Sequence, residues 1–367
     1  MTETPASLGY RMPAEWEPHA ATWIAWPHNR DDWPGKFGPI PWVYAEIVRL
    51  LSRSERVEIL VYGRKERRRA ADRLDRAGVD LDRVGFHAVP TDRVWTRDSG
   101  PSFVVKDTAE PGDPAAVALV AWKFNAWAKY HNHRLDRKVP RAIGRALGLT
   151  RFKPRFDPGD GESPARVVLE GGSIDVNGRG TVLTTEECLL SEVQARNPRL
   201  DRAGIEKALA ENLAAPHVVW LDRGIVGDDT HGHVDDLARF VGPSTVAVVV
   251  ERDPADANYD ILRANRERLR HATDQDGHPL EVVELPMPRP VVFEGTRLPA
   301  SYANFYVAND LVLVPTFNDP ADREALAVLA AAFPGREVVG VHAVDLVWGL
   351  GTLHCLTQQQ PLAGAAG

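Results

Sequence analysis

Five side chains of this 367-residue sequence have types and settings that suit one covalent reaction: the thiol of Cys355, the imidazole of His233 and the carboxylates of Asp98, Glu170 and Asp235. Cys355 lies in Trp348-Gly-Leu-Gly-Thr-Leu-His-Cys355-Leu-Thr-Gln-Gln-Gln-Pro361. A cysteine that only fills a core is usually set among Val, Ile and Leu, whereas glutamines and a proline follow this one. Gly349 and Gly351 leave room for the backbone to approach a ligand, and residues 352–357 alternate like a short strand.

The carboxylates and the imidazole sit in equally marked contexts. Trp95-Thr-Arg-Asp98-Ser-Gly-Pro101 places an aspartate in a turn beside an arginine and an aromatic face. Alone it reads as an Arg97–Asp98 pair, but Trp95 is also suited to stacking on a flat cation. Residues 167–170 read as an apolar strand that ends on Glu170 in front of Gly171 and Gly172. In His231-Gly-His233-Val-Asp235, an extended backbone would put His231, His233 and Asp235 on one face. That pattern suits a metal site or an acid/base histidine beside a substrate-binding carboxylate. A hydrolytic zinc site needs further ligands in matching motifs, and neither His342 nor His354 lies in one.

A thiolate and a histidine permit covalent catalysis. Several carboxylates around them suit a planar, permanently cationic electrophile. A guanidinium carries five N–H donors in a fixed fork, and two carboxylates can hold it in bidentate fashion with its carbon facing the sulfur.

Residues spread over the whole chain must converge if they form one site, and the predicted elements offer a way. Residues 12–27 read as a strand leaving a loop. Helices are predicted over 41–53, 64–77, 201–214, 257–272 and 322–333, and strands over 57–62, 84–89, 217–221, 280–285 and 337–341. The later helix–strand pairs recur roughly every 60 residues, a pattern repeat without sequence identity. Alternating helices and strands define an α/β class. A circle of units, each sending a loop to the centre, brings the motifs together. Residues 107–114 and 151–164 read as surface loops, and 64–76 as a solvated helix face with charge pairs.

Composition narrows the function. Hydrophobic residues make up 44 %, ample for a core, and the net charge of −7 argues against nucleic acid as a partner and fits a cationic one. Two cysteines, Cys188 and Cys355, provide neither a disulfide framework nor a cysteine-based zinc site. Residues 1–10 lack the features of a secretory signal, and no apolar run reaches the ~18 residues of a membrane span. The expectation is a cytoplasmic protein with no membrane partner.

Taken in order, the motifs resemble the agmatine deiminase and bacterial peptidylarginine deiminase family of the guanidine-modifying superfamily. They are Glu15-Trp-Glu-Pro-His19 with Trp23 and Trp26-Pro27, Trp95-x-Arg-Asp98-x-Gly-Pro101, Phe124-Asn-Ala-Trp127 and Leu169-Glu-Gly-Gly172. Gly232-His-Val-Asp235 with Ala238-Arg-Phe240, Tyr302-x-Asn304-Phe305 and His354-Cys355-x-Thr-Gln-Gln359 complete the set. The resemblance implies a five-bladed, pseudo-symmetric α/β propeller of the pentein type. It would form a single catalytic domain over 1–367 with a short flexible tail at about 361–367, and the two ends of the chain would share a closing blade. It implies Cys355 as nucleophile, His233 as general acid/base, Asp98 and Asp235 as the guanidinium clamp and Glu170 as support for the histidine and the substrate. Trp95, Asn304 and Gly171 would line the substrate site. Neither metal nor organic cofactor is implied. The implied substrate is a small guanidino cation, agmatine first and peptidyl-arginine second, and the implied assembly is a homodimer. Two segments depart from the family: Gly349-Leu-Gly-Thr-Leu-His354, where three glycines, Asn and Ile are usual before the histidine, and Ala128-Lys-Tyr-His-Asn-His133, where more glycine and aromatic residues are usual. Both bear on the far end of the substrate. An amidinotransferase, a zinc hydrolase built on His231, His233 and Asp235, and a non-catalytic guanidine-binding protein remain as alternatives.

Overall fold

The computed structural model describes residues 3–108, 113, 115–159, 161 and 163–362. Five sheets of three or four strands share one topology, in which a central strand pairs antiparallel on one side and parallel on the other. The central strands are His19–Ala25, Val117–Val120, Thr181–Thr185, Thr245–Val250 and Leu311–Thr316, and their parallel partners are Arg56–Val61, Thr150–Phe152, His217–Leu221, Glu281–Pro286 and Glu337–His342. Parallel neighbours need a crossover long enough to hold a helix. The helices Ile40–Leu51, Val139–Leu147, Arg202–Leu213, Tyr259–Arg270 and Ala321–Ala332 fill those places. The first helix starts with Pro41 in its first turn, and the third is capped by the Asp201 side chain, which accepts from the Gly204 N–H.

The antiparallel partners are Ser102–Val105, Asp175–Val176, Ala238–Gly242 and Tyr306–Val307, and in the first sheet the C-terminal strand Gln358–Pro361. The two ends of the chain therefore share one sheet, which also carries Val84–Ala88 as a fourth strand. Two hairpins, Arg155–Phe156 with Ala165–Arg166 and Val292–Phe293 with Thr296–Arg297, lie outside these sheets. Strands such as Thr245–Val250 are apolar along most of their length because both faces are covered. Among the described residues, no helix is long and apolar enough to cross a membrane.

The helices and strands predicted within the repeating units all form, with small shifts at their ends. Five other expectations are corrected. Residues 352–357 are not a strand: Leu353–Leu356 is a short helix, because Asn304 Oδ1 accepts from the His354 and Cys355 N–H groups at 3.0 and 3.4 Å and replaces a neighbouring strand. Residues 167–170 are not a strand either. The Asn197 amide pairs with both backbone groups of Val168, at 2.9 and 2.7 Å, and occupies its ladder positions. The expected loop 151–164 contains the end of Thr150–Phe152 and one hairpin strand. On the helix Arg64–Arg76, among the described residues, stacking of Arg67 on Phe86 and of Arg73 on Trp42 takes the place of the expected charge pairs. Pro361, placed in the expected tail, pairs with His19. Residues 363–367 of that tail, and 109–112 and 114 of the other expected loop, lie outside the described residues.

Candidate active site

The connections leaving the sheets converge on Cys355. Its Sγ lies 3.1 Å from Asn304 Nδ2 and 3.6 Å from Asp235 Oδ2. Asp98 comes from the short helix Thr96–Ser99, and Asp235 from the turn Val234–Asp236. Asp98 is aimed by the Trp127 indole N–H, which donates to Oδ2 at 2.8 Å, and by the Gly172 N–H, which donates to Oδ1 at 3.0 Å. A Cβ at Gly172 would come within 2.6 Å of His233 Nδ1, 2.9 Å of Asp235 Oδ2 and 3.0 Å of Asp98 Oδ1. Only glycine lets this backbone sit among the three side chains.

His233 stands between the carboxylates. Nδ1 is 3.9 Å from both Asp98 Oδ2 and Asp235 Oδ1, and Nε2 is 3.7 Å from Glu170 Oε2. Both ring nitrogens are buried without a hydrogen-bond partner, as is Asp235 Oδ1. Buried polar atoms ordinarily find partners. His233 Nδ1 and Asp235 Oδ1, 3.9 Å apart, therefore mark a place for a polar ligand. Glu170 is fixed from behind by Arg196, whose Nε lies 3.2 and 3.3 Å from its two oxygens.

The electrostatics are those of a cation site. Burial, then the charges of Asp235, Asp236 and Asp98, pushes the Cys355 thiol well above its ordinary value. Burial opposes the charged form of His233, but Asp98, Cys188 and Glu170 outweigh it and hold the ring well above the usual histidine range. Burial also raises Asp98, with Asp235 and Glu170 adding to the rise against His233. Glu170 and Asp235 are held low despite burial, Glu170 chiefly by Arg196 and Asp235 chiefly by its bond to His354. A guanidinium between Asp98 and Asp235 supplies the positive charge that a thiolate at Cys355 requires.

A cavity of about 280 Å³ runs from Cys355 and Asp98 past Trp95, Trp127, Tyr130 and Trp348 to Asp32, Asp229 and the exposed Asp31. Arg93 also lines it, with its guanidinium 4.4 Å from the centre of the Tyr130 ring and 3.8 Å from Asp32.

Of the expected site residues, Cys355, His233, Glu170, Asp98 and Asp235 come together and Trp95 lines the cavity. Three readings change. Gly172, not Gly171, faces the site; a Cβ on Gly171 would strike the Arg97 carbonyl at 2.3 Å. Asn304 does not line the cavity but holds Cys355 from behind, its amide donating to Cys355 Sγ and to Asp236 Oδ1. His231 does not share a face with His233 and Asp235. Left-handed His231 and Gly232, held by Asp228, turn the chain so that the His231 ring meets Ser191 at 3.1 Å. The zinc reading built on these three residues loses its geometry. Gly349 and Gly351 give close approach to Trp33 and Trp95.

Several residues of the site were not foreseen. His354 bridges Asp235 Oδ2 at 2.7 Å and Glu15 Oε2 at 2.9 Å, and Glu15 also pairs with Arg97 and Arg239 at 3.1 and 2.9 Å. These residues lie inside motifs already noted, next to the ones selected. Arg97 turns to Glu15 and not to its neighbour Asp98. Arg196 and Cys188 gave no signal. Cys188, Glu170 and His233 present ligand-type atoms within 4.8 Å of one another, but Arg196 already engages both oxygens of Glu170.

A thiol, an imidazole and two carboxylates meet here, with the thiol and Asp98 lining a cation-sized cavity, a combination suited to a cysteine-dependent, guanidine-directed site. The chain belongs to the Porphyromonas-type peptidyl-arginine deiminase family, whose model matches residues 11–361. It is 37 % identical over 384 aligned residues to an agmatine deiminase of Pseudomonas aeruginosa, covering 98 % of both chains, and 36 % identical to one of Stutzerimonas stutzeri, also at 98 % of both. Among solved structures it is similar to the agmatine deiminase of Enterococcus faecalis, with a TM-score of 0.87, 33 % identity and coverage of 99 % of this chain and 98 % of the other. It is also similar to a substrate-bound C. jejuni agmatine deiminase, with a TM-score of 0.82, 28 % identity and coverage of 96 % and 97 %.

Proposed function

We propose that this protein is an agmatine deiminase that hydrolyses the substrate guanidinium to N-carbamoylputrescine and ammonia through an amidino adduct on Cys355. The observation that carries the reading is the convergence of Cys355 Sγ, His233 and the two carboxylates Asp98 and Asp235, with Cys355 and Asp98 opening onto one cavity. Curated agmatine deiminases at about the same length support it. We read the five repeated units as blades of a five-bladed α/β propeller with the site on its axis, supported by the shared strand topology and the joined chain ends.

The residues divide the reaction as follows. Asp98 and Asp235 take opposite sides of the guanidinium and present its carbon to Cys355. The cation, once bound, offsets the carboxylates that keep the thiol protonated. With His233 already charged, the thiol proton leaves to solvent as the cation binds, and the thiolate adds to the guanidinium carbon. His233 gives its proton to an unsubstituted nitrogen, the C–N bond breaks and ammonia departs. His233, steadied by Glu170, then removes a proton from water, which attacks the amidino carbon. The second tetrahedral species expels Cys355 and leaves a ureido group on the amine side.

Agmatine carries a second cation, an ammonium at the far end of four methylenes, and Asp32 fits it. Asp32 lines the cavity, and its Oδ2 is buried without a partner. Burial pushes its carboxyl up to about 7, with Asp136 and Asp31 adding to the rise against the pull of Arg93, so a further cation at this point would be welcome. A peptidyl arginine would bring amides to this point and no charge. The test compares ammonia and ureido product from agmatine, butylguanidine and an arginine peptide. Agmatine should be the preferred substrate. Asp32→Asn should raise its KM about tenfold or more and leave butylguanidine unchanged. Because Asp32 ionises as pH rises through about 7, the KM for agmatine should fall across that range in the wild type and stay flat in the variant. Preferred turnover of the peptide would overturn the substrate assignment.

A further inference from the structure

A second cavity, of about 880 Å³, lies beside the second sheet and shares no residue with the catalytic one. Its lining is dominated by cations. Arg137, Arg141 and Arg145 follow one another at four-residue spacing, the last two within Val139–Leu147, and so share one helix face. Arg151, Lys153, Arg166 and Lys123 complete the ring, and no aspartate or glutamate lines it.

Three observations show that this charge is not balanced locally. Among the described residues, none of the seven cations forms an ion pair, although Arg11, Arg97, Arg196 and Arg239 each do so elsewhere. Arg151 Nε is buried with no hydrogen-bond partner. Burial, followed by the charges of Arg155 and Arg151, lowers Arg166 below the usual guanidinium range. Like charges four residues apart also disfavour the helix that carries them. In a chain of net charge −7, such a concentration of unpaired cations is a costly arrangement unless a ligand of opposite charge occupies it.

We propose that this cavity is a binding site for a small polyphosphate anion. Guanidinium forks match phosphate oxygens in bidentate fashion, and several of them around one space suit a chain of phosphates better than a single carboxylate. The volume is that of a small-molecule site. Trp122, Phe124 and Leu149 provide an apolar floor on which an attached organic group can rest. An inorganic oligophosphate and a nucleoside triphosphate share this chemistry.

Calorimetric titration of the full chain at about 150 mM salt, with tripolyphosphate, ATP, orthophosphate and adenosine, tests the proposal. Saturable one-site binding of tripolyphosphate and ATP is expected, weaker as salt rises. Arg141→Gln and Arg151→Gln should each weaken it about tenfold, with the fold by circular dichroism and the deimination rate unchanged. Equal affinity for tripolyphosphate and ATP identifies the phosphate chain as the whole determinant; tighter ATP adds the nucleoside on the apolar floor. No saturable binding at millimolar ligand, binding that neither variant alters, or orthophosphate binding as tight as tripolyphosphate overturns it. So does a single-stranded oligonucleotide that binds more tightly than either small anion. Ligand titration leaves the deiminase reading aside, so the two stand or fall separately.

Discussion

At the scale of single residues, the unbound site is set against its own nucleophile. Cys355 faces Asp235 and Asp98 across a buried cavity, and both charges favour the neutral thiol. A cationic substrate removes that obstacle as it binds, so activation of the sulfur is tied to recognition of the guanidinium. Iodoacetamide should therefore alkylate Cys355 of the free protein slowly at neutral pH, with the rate rising only at strongly alkaline pH. Asp235→Asn removes the largest opposing charge and should shift that profile to lower pH. A neutral-pH rate equal to that of a free thiol in the wild type would contradict this account. The sequence made these five side chains legible because each stands in an unusual local setting. It did not separate Gly171 from Gly172, since both occupy one dipeptide and only the path of the backbone decides which faces His233.

At the scale of elements, the catalytic groups sit on very short helices and turns that leave the sheets, held mainly by side chain to backbone hydrogen bonds. Asn304 replaces a neighbouring strand for His354 and Cys355, Asn197 does the same for Val168, and Asp228 shapes the turn before His233. Five of the helices and most of the strands parallel to the sheet centres were readable from their pattern, whereas the helix Val139–Leu147 and central strands such as Thr245–Val250 were not predicted. A distant amide that takes the place of a neighbouring strand leaves no local trace, so the strand-like patterns of residues 352–357 and 167–170 read as strands. Such loops tolerate little. In Gly172→Ala the new methyl group would press on His233, Asp235 and Asp98 together. A displacement of about 1 Å at the reacting groups should lower kcat about 100-fold, with the far-ultraviolet circular dichroism spectrum unchanged. Steady-state kinetics with wild-type-like turnover would show that the backbone has room there.

At the scale of the whole molecule, the two ends of the chain are joined twice. Gln358–Pro361 pairs with His19–Ala25, and Glu15 gathers Arg97, Arg239 and His354 from separate parts of the chain. Burial opposes the charge on Glu15, but Arg239, His354 and Arg97 hold its carboxyl well below the ordinary value. A carboxyl with a depressed folded pKa contributes stability that is present above its unfolded pKa and is lost as pH falls through the folded one. Glu15→Gln leaves the buried guanidiniums of Arg97 and Arg239 short of a partner and should cost about 3–5 kcal/mol in urea denaturation at pH 7. The difference from wild type should shrink in acid. A variant as stable as the wild type at pH 7 would show that Glu15 does not fasten the ends. The repeat of helix–strand units was legible as a pattern, and the joining of the termini came from resemblance alone. The inner antiparallel strands were missed because pieces as short as Asp175–Val176 carry too few residues for a pattern.

The covalent step on Cys355 is the centre of the account. Acid quenching of the protein during agmatine turnover, followed by intact-mass and peptide mass spectrometry, tests it most directly. The account predicts a transient species heavier by one amidino group, located on the peptide that contains Cys355, absent in Cys355→Ser and accompanied by a loss of turnover of about 1,000-fold or more. Steady turnover in the serine variant, or an adduct on any other residue, would contradict it.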